Sequence, residues 1–137
     1  MTGNFSIEVG DSFEINDEHG KHLHFVIAEE SAKDHSLIIL VYISSANTIY
    51  KDETTIIKPG EHPYINDTNN ESWVRYQSTI ICSRDEIAQL ITKHFGKISD
   101  ALLKRIQDGF ETSERVSRRI KNIYSEWKMD KLFDSLK

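Results

Sequence analysis

The chain is poor in the residues that force special architectures. It has one cysteine, two prolines and six glycines in 137 residues. A single thiol, Cys82, forms no internal disulfide, and it sits in the apolar run "TIICSRDE", where a small buried residue fits. That usage, with no apolar or basic leader in "MTGNFSIEVGDSF", points to a reducing, cytoplasmic location. No stretch of about 20 apolar residues exists, so no spanning helix and no membrane partner is expected. There is no G-x-S-x-G elbow for a serine hydrolase and no glycine-rich phosphate loop. Internal repeats and low-complexity tracts are missing too.

Bases are scarce in the front half. Residues 1–71 hold 13 acids and 4 bases, a charge of −9, whereas residues 72–137 hold 9 acids and 13 bases, a charge of +4. Such an acidic front is not a general nucleic-acid platform. The bases concentrate at Lys104-Arg105 and in "ERVSRRIKN" (114–122). That pattern suits the solvated face of a helix, or a docking surface for a polyanion or an acidic partner.

The length suits one domain, 1–137, in two parts. Up to residue 82 the periodicity is two. "GDSFEIN" puts Phe13 and Ile15 on one face, and Gly20 allows the following turn. "HLHFVIA" separates Leu23, Phe25 and Ile27 from His22, His24 and Val26. "LIILVYI" is apolar throughout, as in a central strand covered on both faces. "TTIIK" is short and stopped by "PGEHP", and "WVRYQSTIIC" is expected to bend near Gln77-Ser78. These five or six strands predict a small antiparallel barrel over about 9–82.

Helices are expected over about 84–128. Ser83 and Glu86 form a capping box for a helix running to Gly96, with Ile87, Leu90 and Ile91 as its apolar stripe. Ser99 opens a second helix with Leu102, Leu103 and Ile106 apolar and Gly109 weakening its end. A third, from Ser113, carries Val116, Ile120, Ile123 and Trp127. The terminal "KMDKLFDSLK" is amphipathic and short, expected to fray or seek a partner. The fold class is therefore α+β, a small antiparallel SH3-like barrel followed by two to three helices.

Polar groups recur at strand ends: Lys21-His22 with His24, Ser44-Ser45, and His62 in "KPGEHPYI". Adjacent strand ends converge in a small barrel, so these groups are candidates for one pocket. A histidine can take a 2′-hydroxyl proton or protonate a leaving 5′-oxygen. A lysine offsets charge growing on a phosphorane, and a serine hydroxyl hydrogen-bonds its oxygens. Each group also has a plain alternative. His22 and His24 could cap a barrel edge, Ser44-Ser45 could end a strand, and His62 could be a rigid turn residue. The H-x-H pair with His62 is a conceivable metal set. No acid has matching spacing, however, so neither metal nor other cofactor is expected.

The ordered series "GDSFEIN", "GKHLHFVIA", "LIILVYISS", "TTIIKPGEHPYI" and "SWVRYQSTIIC" resembles the PemK/MazF-like toxin superfamily, as a divergent branch. The likeness spans about residues 9–82 and is most specific at "GEHPYI" followed by "SWVRY". It implies an SH3-like barrel acting as a metal-independent endoribonuclease on single-stranded RNA, held in check by a small antitoxin protein, with a homodimer possible. The family's catalytic arginine falls on Lys21-His22, so arginine is absent, and its Thr/Ser at the end of the third strand falls on Ser44. The catalytic set read this way is His22 and His62 as acid and base, Ser44 as phosphate ligand and Lys21 as electrostatic stabiliser. His24, Ser45, Arg75 and Tyr76 would bind RNA, with Arg75 and Tyr76 supplying charge and a stacking ring. The competing class is a non-catalytic SH3-like module recognising a protein or nucleic acid. A shared cleft for His22, Ser44 and His62 favours the enzyme, and separate faces favour the module.

Overall fold

The computed structural model describes residues 7–18, 20–31, 36–45, 51–65 and 71–136. The polar loops expected around 32–35 and 66–70, and the turn after Ser45, lie outside the described residues. The fold is α+β, as the periodicities predict. β1 (Asp11–Asp17), β2 (Gly20–Glu29), β3 (Leu37–Ser44), β4 (Ile56–Ile57), β5 (Ser72–Ser83) and β6 (Ile91–Lys97) form one curled antiparallel sheet in the order β4-β5-β3-β2-β1-β6. Three helices join them: α1 (Arg84–Leu90), α2 (Asp100–Thr112) and α3 (Arg118–Ser135). Among the described residues no helix is long and apolar enough to cross a membrane.

The alternation in β2 does what period two requires. Leu23, Phe25 and Ile27 point into the larger core, shared with Leu102, Ile106 and Phe110 of α2 and Tyr124 and Trp127 of α3. Val26 points the other way and meets Phe13, Ile15, Leu40 and Ile87 in a second cluster. β3 is apolar throughout because it lies between β2 and β5 with a cluster on each face. The bend expected in β5 is present. Pairing with β3 jumps from Leu40↔Ile80 to Tyr42↔Arg75, leaving Gln77 and Ser78 in a bulge.

Two expectations in the second half fail. The helix opened by Ser83, whose hydroxyl accepts from the Glu86 N–H, ends at Leu90 rather than Gly96. The next seven residues become β6 because β1 has a free edge, and Ile91 and Thr92 are β-branched residues suited to fill it. Gly96 has φ +86° inside a strand whose register with β1 shifts, and its carbonyl accepts from Ser12 Oγ at 2.8 Å. Leu90 consequently loses its place in an apolar stripe and is exposed. The third helix starts four residues late, since Ser117 caps it through the Ile120 N–H and Ser113 instead closes α2. Helix α2 begins at its predicted cap, Ser99.

A cleft at the β2 and β3 strand ends

The antiparallel register of β2, β3 and β5 assembles the candidate site. Leu23 pairs with Ile43, and Ser44 with Trp73. Lys21 and His22, one or two residues before Leu23, therefore come beside Ser44 and Ser45, and Ser72 follows on the far side. These five residues line a cleft of about 250 Å³, walled by Tyr42 of β3 and by Tyr64 and Ile65 of the turn after β4. Four of the eight predicted site residues, Lys21, His22, Ser44 and Ser45, are thus brought together.

Tyr42 is the residue that changes the chemistry. Its hydroxyl lies 2.8 Å from His22 Nδ1, with the two rings 4.6 Å apart. Burial raises the Tyr42 hydroxyl above its ordinary range, against an opposing pull from Arg75 across the β3–β5 pair. The phenol is therefore neutral and acts as a hydrogen-bonding partner that fixes the imidazole.

The remaining four predicted residues are elsewhere, each for a packing reason. His62 is 4% exposed and stands outside the cleft. Its Nδ1 accepts from the Tyr64 N–H at 3.0 Å, so the ring proton sits on Nε2, which donates to Ser12 Oγ at 2.8 Å. Ser12 in turn donates to the Gly96 carbonyl. Phe25 and Phe95 pack on the ring, and burial pulls its pKa down to about 4. His62 is thus a neutral strut that ties the turn before Tyr64 to β1 and β6.

His24 is also buried. Its Nδ1–H donates to the His22 carbonyl at 3.1 Å, its ring meets Tyr42 edge-on, and burial lowers its pKa. It supports Tyr42 rather than facing a ligand. Tyr76 is fully buried, and its hydroxyl bonds Thr55 Oγ1 at 2.7 Å and donates to the Ile106 carbonyl at 2.8 Å. Its ring belongs to the core and has no face for a base. Strand alternation explains this placement, because Val74 and Tyr76 share the inward side of β5 before the bulge. Arg75 faces the other side, half-buried and outside the cleft, where the Gln77 amide oxygen can accept from its Nη2 and Nε. Arg105, from one of the two basic clusters, is spent internally on Glu61 and the Ile56 carbonyl.

Tyr42, Tyr64, Ser72 and Ser12 were missed by sequence reasoning. Tyr64 and Ser72 do lie within the two most specific segments, "GEHPYI" and "SWVRY", and that membership is the one signal that pointed to them. Among the described residues no group of three potential metal ligands occurs. The cleft instead offers one ammonium, one imidazole, three serine hydroxyls and two phenols, a set suited to holding an anionic oxygen and moving one proton. Compared with known proteins, the chain matches no family model and has no significant curated relative.

Proposed function

We propose that the cleft binds single-stranded RNA at a phosphodiester and cleaves it without a metal, as a divergent toxin of the PemK/MazF kind countered by a small antitoxin. The observation that carries this reading is the convergence of Lys21, His22, Ser44 and Ser45 in one cleft, with Tyr42 holding His22. The Tyr42 hydroxyl lies 2.8 Å from Nδ1 and 3.2 Å from Nε2 of His22, and this imidazole would accept the 2′-hydroxyl proton once substrate takes the place of the longer contact. Lys21 and the serine hydroxyls then stabilise the phosphorane oxygens. Because His62 is locked, the departing 5′-oxygen takes its proton from water. One limb of the usual two-histidine rate profile should therefore be missing.

A second reading, a binding module with no turnover, is favoured by one observation. The second histidine is buried in a hydrogen-bonded chain and does not line the cleft. The test is incubation of single-stranded RNA with the protein in a chelator. On the first reading fragments end in a 2′,3′-cyclic phosphate, His22→Ala lowers the rate by roughly 10²–10⁴-fold, and Ser44→Ala by less. Salt-sensitive binding without cleavage, weakened by Lys21→Ala, supports the second. RNA that neither binds nor breaks refutes the first reading and confines the second to a protein partner.

A further inference from the structure

Helix α3 packs on one side over its first half and, among the described residues, is unpartnered on the opposite side over its second. Ile120, Ile123, Tyr124 and Trp127 lie against the sheet and α2. At 3.6 residues per turn, Met129, Leu132, Phe133 and Leu136 sit roughly half a turn away from that face. They are 49%, 53%, 57% and 74% exposed, at the i, i+3, i+4, i+7 spacing of an apolar stripe. Followed toward the N-terminus, the same outward face carries Ser125, Asn122, Lys121 and Arg118, which line a groove of about 500 Å³ with Val116 and Glu114. Lys128 borders both halves. The acids of the helix, Glu126, Asp130 and Asp134, lie to one flank. Lys121 and Lys128 are placed by Glu111 of α2, through its carbonyl at 3.1 Å and its carboxylate at 2.7 Å. Arg118 has no ion pair among the described residues.

We infer that this face of α3 docks a helical peptide segment that is acidic along one half and apolar along the other. The charge argument decides between occupants. A second copy of α3 in antiparallel register would press Arg118 and Lys121 onto Leu132 and Leu136, and in parallel register would oppose bases to bases, so self-pairing is disfavoured either way. A membrane-surface helix divides charge from apolar residues around its circumference. Here the apolar stripe covers only the second half and is flanked by Asp130 and Asp134, which an anionic bilayer surface would repel. A nucleic acid would use the basic end and leave the four apolar side chains exposed. A segment with acids opposite Arg118 and Lys121 and apolar anchors opposite Phe133 and Leu136 satisfies the whole face. The face is small beside a standard interface, so binding is weak and salt-sensitive.

The probe is a fluorescein-labelled, alanine-based helical peptide of about 18 residues, with glutamates on one face of one half and leucine and phenylalanine at i, i+3, i+4, i+7 in the other. Fluorescence anisotropy with the full chain should show saturable binding. Binding should weaken roughly tenfold when the glutamates become glutamines, and similarly for Arg118→Glu or Phe133→Ser in the protein. Both substituted side chains are exposed, so circular dichroism should be unchanged. Failure of the peptide to bind at about millimolar concentration, or binding unaffected by either protein variant, overturns the inference. So does binding of anionic vesicles or an RNA oligonucleotide by this face in place of the peptide. A dimer in sedimentation that Phe133→Ser abolishes would also overturn it, showing a second copy as the occupant.

Discussion

Replacing Gly109 with alanine should destabilise the protein, although the same change in an ordinary helix stabilises it. In a solvated helix interior, Gly→Ala gains about 1 kcal/mol. Here α2 approaches the sheet so closely that an added Cβ would fall inside contact distance of Thr55 Oγ1 and Tyr76 Oη, and 3.1 Å from Tyr76 Cζ. Those hydroxyls have little room to move. Tyr76 is fully buried, and its hydroxyl joins Thr55 on β5's neighbouring segment to the Ile106 carbonyl on α2. Forcing a methyl group into packed surroundings costs about 1–3 kcal/mol. Displacing a buried hydroxyl from its partners adds about 1–3 kcal/mol. Set against the helix gain, the net loss is about 1–5 kcal/mol, visible as a lower urea midpoint with an unchanged slope. Tyr76→Phe removes one of the two obstructing hydroxyls, so Gly109→Ala should cost less in that background than in the parent. A Gly109→Ala variant as stable as the parent, or additive costs in the double variant, would refute the close approach as the reason for glycine.

His62 is held neutral with a pKa near 4, below its unfolded value near 6.5, so its contribution is complete above pH 6.5 and lost as pH falls toward 4. Urea midpoints at several pH values should show that loss. His62→Gln should flatten the profile, with His24, depressed in the same sense by burial, keeping part of the slope. Burial pushes the Cys82 thiol up to about 12, so alkylation by iodoacetamide near pH 8 should be slow until denaturant is added; rapid labelling of the native protein would contradict this. Tyr42→Phe should leave the fold intact and free the His22 ring, lowering RNA cleavage or binding with little change in thermal midpoint; an unchanged RNA response would remove Tyr42 from the site. Deleting residues 99–137 should uncover Phe25, Ile27, Val41 and Tyr76 and give an aggregating fragment, which a soluble, cooperatively folding product would contradict.

Local physics made much of this protein legible from its residues alone. Period-two alternation identified β1, β2 and β5, the unbroken apolar run of β3 marked a doubly covered strand, and serine hydroxyls at Ser83 and Ser99 marked two helix starts. Strand-end polarity was also enough to place Lys21, His22, Ser44 and Ser45 in one cleft, because antiparallel register brings neighbouring strand ends together. The rest depended on partners far along the chain. Residues 91–96 read as helix until β1 offers an edge 78 residues away, to which Thr92 Oγ1 also donates through Glu14. The register of β5 against β3, with Val74 opposite Ile43 and Arg75 opposite Tyr42, decides that Tyr76 enters the core while Arg75 does not. His62 is chemically able to be an acid or base, and the Tyr64 N–H, Ser12 and two phenylalanines make it a strut. Periodicity fixes which side of its own element a residue occupies. What lies across from that side is set by register and packing, which no local window contains.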